Sequence, residues 1–267
     1  MKCTWWYPAF PGKLKETKQM KAFFHAVAFL TRIPVPTLSS SQKDWERSVA
    51  YYPAVGLFLG ILLWGASWLG FYLAPPALAA VLFFAFWIFL TGGLHIDGWM
   101  DLADGMGSNR DRQRTLEIMK DSRTGSMGVI AALLLFMLKG VSIYYLIENR
   151  EFLLFLLPPL AARFFLVAAI WFWPYISEKG MATGLKKGLA PWMIVVSFLI
   201  TGGIFYVVKD VAGLLVLALT IIISWLFIRA VVKRLGGLTG DVYGALVEWT
   251  EMVVVVLLVM AGRWSFL

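Results

Sequence analysis

The segment 192–230 reads WMIVVSFLITGGIFYVV, then KD, then VAGLLVLALTIIISWLFIRA, and it decides the class of fold. Each apolar run is close to the roughly 20 helical residues needed to cross about 30 Å of hydrocarbon. The two charged residues between the runs, Lys209 and Asp210, leave room only for a tight turn. The segment therefore predicts two membrane-spanning helices joined as a hairpin.

The composition of the 267 residues agrees with a membrane location. Hydrophobic residues make up 60% of the chain, charged residues make up 15%, and the mean hydropathy is +0.76. Soluble domains average about half apolar and about a quarter charged, so these values disfavour a soluble enzyme and exclude disordered, collagen-like and coiled-coil chains. One cysteine and two histidines exclude an intrachain disulfide and zinc chemistry built on several histidines.

The remaining apolar runs predict an all-α fold, a polytopic bundle of about seven membrane helices in one domain, 1–267. The predicted spans are residues 49–74, 77–94, 127–147, 152–175, 192–208, 211–230 and 245–260. Pro75 and Pro76 predict a short turn after the first span. Pro158 and Pro159 lie inside the fourth span and predict a kink there.

The basic residues indicate the orientation of the bundle. Nineteen of the 24 Lys and Arg residues fall on the side of the N-terminus, and three fall on the opposite side. Cytoplasmic loops are enriched in Lys and Arg, so the bias predicts a cytoplasmic N-terminal segment, 1–48, and a cytoplasmic acidic segment, 95–126. It also explains the net charge of +8 without a nucleic-acid partner. Lysines alternate with apolar side chains at residues 17–30, which predicts an interfacial amphipathic helix.

Three aspartates, Asp97, Asp101 and Asp104, follow the second predicted span, and no basic residue occurs from position 92 to 109. On a helix that continues the span, their spacings of four and three place them on one face. Clustered carboxylates repel one another, and such a group is rare beside an apolar span without a cation. Hard oxygen ligands suit Mg²⁺ or Mn²⁺, so a metal site is favoured over a solvated helix end.

The next segment places acids beside bases. Glu117 and Asp121 are again four residues apart, and Lys120 and Arg123 flank them. Acids that hold a metal ion and bases that hold phosphate are the groups that phosphoryl transfer needs. An amphipathic helix with ordinary ion pairs has the same composition, so this segment alone leaves both interpretations open.

Lys139 and Arg163 lie inside predicted spans, where a charge that faces lipid costs several kcal/mol. Each is expected to face the bundle interior and to meet a phosphate or an acid such as Glu248. His95 lies two residues before Asp97. A single histidine more often makes structural hydrogen bonds, and we keep His95 also as a candidate substrate contact.

Two function classes fit these features, namely a membrane enzyme that transfers a phosphoryl-containing group and a cation-coupled transporter. Transporter sites typically lie near the bilayer midplane at the interfaces of internal repeats. The acids of this chain cluster at the predicted cytoplasmic surface, and the sequence shows no internal repeat. The enzyme is therefore favoured.

Four blocks of the sequence resemble the cobalamin synthase family of adenosylcobinamide-GDP ribazoletransferases. They are FLTRIPVP at 29–36, YPAVG at 52–56, LTGGLHIDGWMDLADG at 90–105 with LEIMKDSRTG at 116–125, and LGGLTGDVYG at 235–244. The third block is long and specific, and it keeps every acidic position of the motif. Trp99 and Met100 depart from the small or aliphatic pair that is more usual there.

The resemblance implies the last joining step of cobalamin (vitamin B12) biosynthesis. A ribose hydroxyl of α-ribazole, or of its 5′-phosphate, attacks the cobinamide-linked phosphorus of adenosylcobinamide-GDP, GMP leaves, and Mg²⁺ is required. The implied setting is the cytoplasmic (inner) membrane of a bacterium or archaeon, with the active site facing the cytoplasm. A homo-oligomer, or a complex with other enzymes of cobalamin assembly, is left open.

The resemblance also suggests roles for single residues. The expected Mg²⁺ ligands are Asp97, Asp101, Asp104 and Glu117, and Asp121 is expected to act as the general base beside Asp104. The expected contacts to substrate or phosphate are Lys120, Arg123, Lys139, Arg163, Asp241 and His95. A CDP-alcohol phosphotransferase-like enzyme is the alternative, because its acid pattern is similar, although the spacing differs by about one residue and an Ala-Arg step is missing.

Overall fold

The structure is a computed structural model that describes residues 17–36, 41–177 and 180–264, without the side chains after residue 262. The first 16 residues of the predicted N-terminal segment and Lys179 lie outside the described residues. Within the described ranges the regular secondary structure is helical, as predicted, apart from an isolated bridge between Tyr175 and Leu238. Its α-helices are α1 (Lys18–Leu30), α2 (Gln42–Ser48), α3 (Tyr52–Leu73), α4 (Pro76–Thr91), α5 (Leu94–Gly107), α6 (Arg112–Ile118), α7 (Ser126–Glu148), α8 (Leu157–Phe172), α9 (Pro191–Leu235) and α10 (Gly240–Trp264).

Five helical segments of the described chain are long and apolar enough to cross a membrane, and a sixth is counted if α4 and α5 form one bent span. The five are Gln42–Leu73, Ser126–Glu148, Phe152–Phe172, Pro191–Leu235 and Gly240–Gly262. The predicted hairpin lies within α9, because Lys209 and Asp210 leave the helical region of backbone space. Gly213 follows this break and Phe205 precedes it, and the Gly213 backbone lies against the backbone carbonyl of Phe205. The two arms of α9 therefore run antiparallel.

The predicted kink at Pro158 and Pro159 is wrong. Residues Phe152–Leu156 form a 3₁₀ helix, and α8 begins at Leu157, so both prolines occupy the first turn of α8. The first N–H groups of a helix have no partner within it, so proline costs little at this position.

The amphipathic helix predicted at residues 17–30 is α1. Thr17 caps it, because its side-chain oxygen accepts a hydrogen bond from the Met20 N–H at 3.3 Å. The side chains that α1 buries are Ala22, Ala26, Val27 and Leu30. Its apolar face therefore packs on the bundle.

The acidic helix α5 does not continue α4, so the expectation of one continuous helix is wrong. Gly92 and Gly93 have φ angles of 68° and 71°, and α5 leaves α4 at 89°. Left-handed backbone is accessible to glycine at little cost, and two such residues turn the chain sharply. α5 then packs across the N-terminal ends of α7 and α10. By itself, α5 is not among the helical segments that are long and apolar enough to cross a membrane.

Replacement of Gly92 tests this turn. We expect Gly92→Ala to lower the free energy of unfolding by about 1–2 kcal/mol, because a left-handed φ is strained for alanine and its Cβ would meet the Arg32 side chain. The control is Gly65→Ala in α3, where a Cβ meets no atom within 4 Å, so little change is expected. Thermal unfolding in detergent measures both, and equal losses would contradict the assigned turn.

Two cations and two acids meet inside the bundle. Lys139 Nζ of α7 donates hydrogen bonds to Oε2 of Glu248 and to Oε2 of Glu251 in α10, both at 2.9 Å. Arg163 of α8 donates to Oε1 of Glu251. None of the four side chains is more than about 4% exposed. The prediction that Lys139 and Arg163 face the interior and an acid is confirmed, and we call these four residues the buried ion cluster.

Candidate active site

Four aspartates come together where α5 crosses the start of α10. Asp97, Asp101 and Asp104 share one face of α5, as their spacing predicts. Asp241 joins them from the first turn of α10, because Gly98 lies against the Asp241 backbone, and a Cβ on Gly98 would be 2.9 Å from its Cα. We call these four residues the acid face. Sequence reasoning named Asp241 only as a substrate contact, and its proximity to the α5 aspartates comes from the fold.

The acid face concentrates negative charge. In the described part of the chain, none of its four carboxylates forms a salt bridge. Partial burial, and then the nearby carboxylates of Asp97, Asp241 and Asp104, raise the pKa of Asp101 to about 7. A bound cation would remove this repulsion and keep Asp101 ionised at neutral pH.

Asp104 has a second role, because it caps α7. Its Oδ2 accepts a hydrogen bond from the Gly125 N–H and its Oδ1 accepts one from the Gly128 N–H, both at 2.7 Å. A Cβ on either glycine would collide with this carboxylate. Asp104 thus fixes the start of α7 against α5, and each of its oxygens keeps a further lone pair.

The variant Asp104→Asn tests the capping role of Asp104 separately from any role in metal binding. We expect it to lower the free energy of unfolding by about 1–2 kcal/mol with or without Mg²⁺, because one backbone N–H loses its charged acceptor. The comparison is Asp101→Asn, which relieves repulsion and has no assigned hydrogen bond in the described chain, so no loss of stability is expected. Denaturation in detergent checks both variants, and an equally destabilised Asp101→Asn would refute the distinction.

The predicted acids after α5 lie in surface pairs. Glu117 accepts hydrogen bonds from Arg114 at 2.8 Å and from Gln113 at 3.4 Å, which lower its pKa. Asp121 pairs with Arg123, whose Nη2 lies 2.7 Å from Oδ2, and these hydrogen bonds lower the pKa of Asp121 to about 2. Glu117 is thus held by its own helix α6 rather than by α5.

The structure brings Asp121 and Arg123 to the far end of the acid face. Together with Asp104 they line an open cavity of about 360 Å³ at the start of α7. Lys120 is exposed and is an electrostatic neighbour of Asp241. Lys139 and Arg163, predicted also as phosphate contacts, belong instead to the buried ion cluster, where acids already balance their charges.

A second cavity, of about 320 Å³, opens at the other end of the acid face, and we call it the apolar cavity. Asp97, Asp241 and His95 lie on its wall among mostly apolar side chains. Burial lowers the pKa of His95 to about 3, so this histidine is neutral and carries no charge toward a phosphate. The structure therefore places His95 beside the acids, as a neutral hydrogen-bonding group.

In the described ranges no three or more Asp, Glu, His or Cys side chains are grouped so that they could hold one metal ion together. Magnesium does not need such a group, because it is usually held by one or two carboxylates, by water and by phosphates of the substrate. The carboxylates of the acid face are oxygen donors of that kind. The donor set therefore fits Mg²⁺ delivered with a phosphate-bearing substrate.

Comparison with known proteins gives the family. The family model described as cobalamin-5-phosphate synthase matches residues 22–259. The chain belongs to the cobalamin-5-phosphate synthase family. The resemblance stated from the sequence is thereby confirmed. Two blocks of that resemblance, residues 90–105 and 235–244, meet in space where Gly98 contacts Asp241 in this cobalamin-5-phosphate synthase fold.

Relatives within the cobalamin-5-phosphate synthase family match nearly the full chain, and those described here are each named adenosylcobinamide-GDP ribazoletransferase. The protein from Brevibacillus brevis is 45% identical over 246 residues, which is 92% of this chain and 99% of that protein. The proteins from Desulforamulus reducens and Stutzerimonas stutzeri are each 38% identical, over 89% of this chain and 96% and 98% of their own lengths. No solved structure matches this chain.

Proposed function

We propose that this chain is a membrane enzyme that joins α-ribazole, or its 5′-phosphate, to adenosylcobinamide-GDP. A ribose hydroxyl oxygen forms a new bond to the cobinamide-linked phosphorus, the bond from this phosphorus to the bridging oxygen breaks, and GMP leaves with that oxygen. The hydroxyl proton passes to a base on the protein or to water. The acid face beside two cavities, in a chain whose relatives carry this enzyme name, is the observation that supports the proposal most strongly.

Asp97, Asp101 and Asp241 are the candidate Mg²⁺ ligands that we propose, with Asp104 beside them in its capping position. One or two of these carboxylates would hold an ion, and water and the pyrophosphate would supply the other oxygens. Bound there, the ion would offset the negative charge that develops on departing GMP. In this proposal Asp241 replaces Glu117 as a candidate metal ligand, because Glu117 would first have to leave Arg114.

Lys120 and Arg123 are the exposed cations that we propose to bind phosphate. Asp121 is a weak base while Arg123 holds it, since a carboxylate with a pKa near 2 accepts a proton poorly. Transfer of Arg123 to a substrate phosphate would free Asp121 and raise its pKa toward the ordinary value. This exchange of partners is how we propose that Asp121 becomes the general base.

The finer topology is also a proposal. Seven spans result if α4 crosses alone and the two arms of α9, residues 191–208 and 211–235, each cross once. The excess of Lys and Arg on the side of α6 then places the acid face at the cytoplasmic surface of the inner membrane, with α1 at the interface. Water-soluble substrates would reach the acid face from that side.

The test is a transfer assay with the purified full-length protein in liposomes. With adenosylcobinamide-GDP, α-ribazole and Mg²⁺ we expect GMP and a corrinoid whose mass equals the sum of the two substrates minus GMP. Omission of α-ribazole or of Mg²⁺ is expected to abolish both products. A folded protein that releases no GMP, or that transports ions across the same liposomes without forming product, would overturn the proposal.

A further inference from the structure

A third cavity, of about 360 Å³, opens where the end of α5 meets the end of α9, and we call it the basic cleft. Its wall is formed by Met106, Asn109, Ala230, Lys233 and Arg234. In the described chain these five residues line neither of the two cavities beside the acid face. The volume of the basic cleft is within the usual range for small-molecule sites. It is therefore a separate candidate binding site.

The charged groups at the basic cleft are cations. Lys233 is exposed, and Arg234 is held on the wall because its Nη2 donates a hydrogen bond to the backbone carbonyl of Arg110. Arg112 lies at the same end of α9, since a Cβ on Gly236 would be 2.9 Å from its Cζ. Within the described ranges, no carboxylate forms a salt bridge with Lys233, Arg234 or Arg112. An anion is the ligand that these side chains favour.

The end of α9 attracts cations by itself, but it accounts for only part of this charge. The C-terminus of a helix carries about half of an elementary negative charge. Asp111, next to Arg112 in the chain, caps α6, because its Oδ1 accepts a hydrogen bond from the Arg114 N–H at 2.9 Å. The three cations Lys233, Arg234 and Arg112 exceed both negative charges together. The basic cleft therefore keeps positive charge for a ligand.

One face of α9 leads from the lipid-facing surface of the bundle to the basic cleft. Spacings of four, four and three residues place four side chains on that face: Ile222, Leu226, Ala230 and Lys233. Ile222 and Leu226 are 55% and 58% exposed on a helix that is long and apolar enough to cross a membrane. Trp225 is 46% exposed beside them, and tryptophan is enriched at the membrane–water interface. Lys233 lies about 10 Å beyond Leu226 along the helix axis, on the side of the headgroups.

We propose that the basic cleft binds the phosphate of an anionic phospholipid, whose acyl chains lie along Ile222 and Leu226 on the same face of α9. Basic pockets at the ends of membrane helices are typical sites for such headgroups. A free phosphate would use the cations alone, whereas a phospholipid also covers the exposed apolar face next to them. The bound lipid would hold the end of α9 and the start of α6 at the membrane surface.

Lipid binding by the purified full-length protein, followed by native mass spectrometry, tests the proposal. We expect the wild type to bind dioleoylphosphatidylglycerol at least fivefold more tightly than the zwitterionic dioleoylphosphatidylcholine. Lys233→Gln is expected to weaken the binding of phosphatidylglycerol about fivefold, because one cation at the headgroup is lost. Lys187→Gln is the matched control, since it removes the same charge from an exposed lysine outside the basic cleft. It is expected to leave this affinity within about twofold.

A charge reversal and a competitor complete the test. Lys233→Glu is expected to weaken the binding of phosphatidylglycerol more than Lys233→Gln does, and the exposed side chain makes both variants compatible with folding. Inorganic phosphate in excess over the lipid is expected to leave phosphatidylglycerol bound. Displacement by phosphate would show a site for free phosphate and overturn the proposal. Wild-type affinity in both Lys233 variants, or an equal loss in Lys187→Gln, would also overturn it. These measurements need no turnover, so they do not depend on the proposed reaction.

Discussion

Asp101→Asn is expected to reduce the rate of Mg²⁺-dependent GMP release by about 100-fold or more. Asp101 lies between Asp97 and Asp104 on α5, and its pKa is raised by partial burial and then by the neighbouring carboxylates. An asparagine keeps the size and one oxygen of the side chain but removes the charge that would hold the ion. Initial rates at saturating substrate and varied Mg²⁺ measure the effect.

Asp210→Asn is the matched control for the loss of one aspartate. Asp210 is exposed at the turn of the α9 hairpin and has a φ of 49°, a conformation that asparagine tolerates well. It lies outside both cavities beside the acid face, so its variant is expected to keep the wild-type rate. Near-full activity in Asp101→Asn, or an equal loss in the two variants, would exclude the acid face as the catalytic site.

Glu251→Gln is expected to lower the free energy of unfolding by about 3–5 kcal/mol, because it leaves buried cations without a counter-charge. Glu251 accepts hydrogen bonds from both Lys139 and Arg163, and all three side chains are almost fully buried. Glu248 remains, but it pairs only with Lys139 in the described chain. Thermal unfolding in detergent and the yield of folded protein measure the loss.

Lys209→Met provides the comparison with an accessible ion pair. Lys209 lies 3.3 Å from Glu151, and the two side chains are 25% and 45% exposed. Exposed pairs contribute about 0–1 kcal/mol, so little change is expected. If Glu251→Gln were as mild as Lys209→Met, the buried ion cluster would not hold α7, α8 and α10 together.

The sequence predicted the parts of this fold that depend on local composition. Apolar length identified the membrane helices, and Lys209 with Asp210 identified the hairpin. The prediction of a kink at Pro158 was wrong because composition alone does not say where the helix begins. Proline is unfavourable inside a helix but harmless in its first turn, where Pro158 lies. The turn at Gly92 and Gly93 was not predicted for a related reason, since glycine permits a left-handed backbone without requiring it.

The candidate site also has features that local spacing predicted and features that depend on the fold. The spacing of Asp97, Asp101 and Asp104 was sufficient to place them on one face of α5. The addition of Asp241 depends on the packing of α10 on α5, between residues far apart in the chain. Glu117 accepts hydrogen bonds from Arg114 and Gln113 of its own helix α6, and its spacing from Asp121 did not predict this local pairing.

Binding of Mn²⁺, followed by electron paramagnetic resonance, tests most directly whether the acid face holds a divalent ion with the substrate. The purified protein with adenosylcobinamide-GDP is titrated with Mn²⁺ in place of Mg²⁺. We expect Asp97→Asn and Asp241→Asn to weaken Mn²⁺ binding about tenfold or more and Asp210→Asn to leave it unchanged. Equal Mn²⁺ affinity in the wild type and in all three variants would contradict the account.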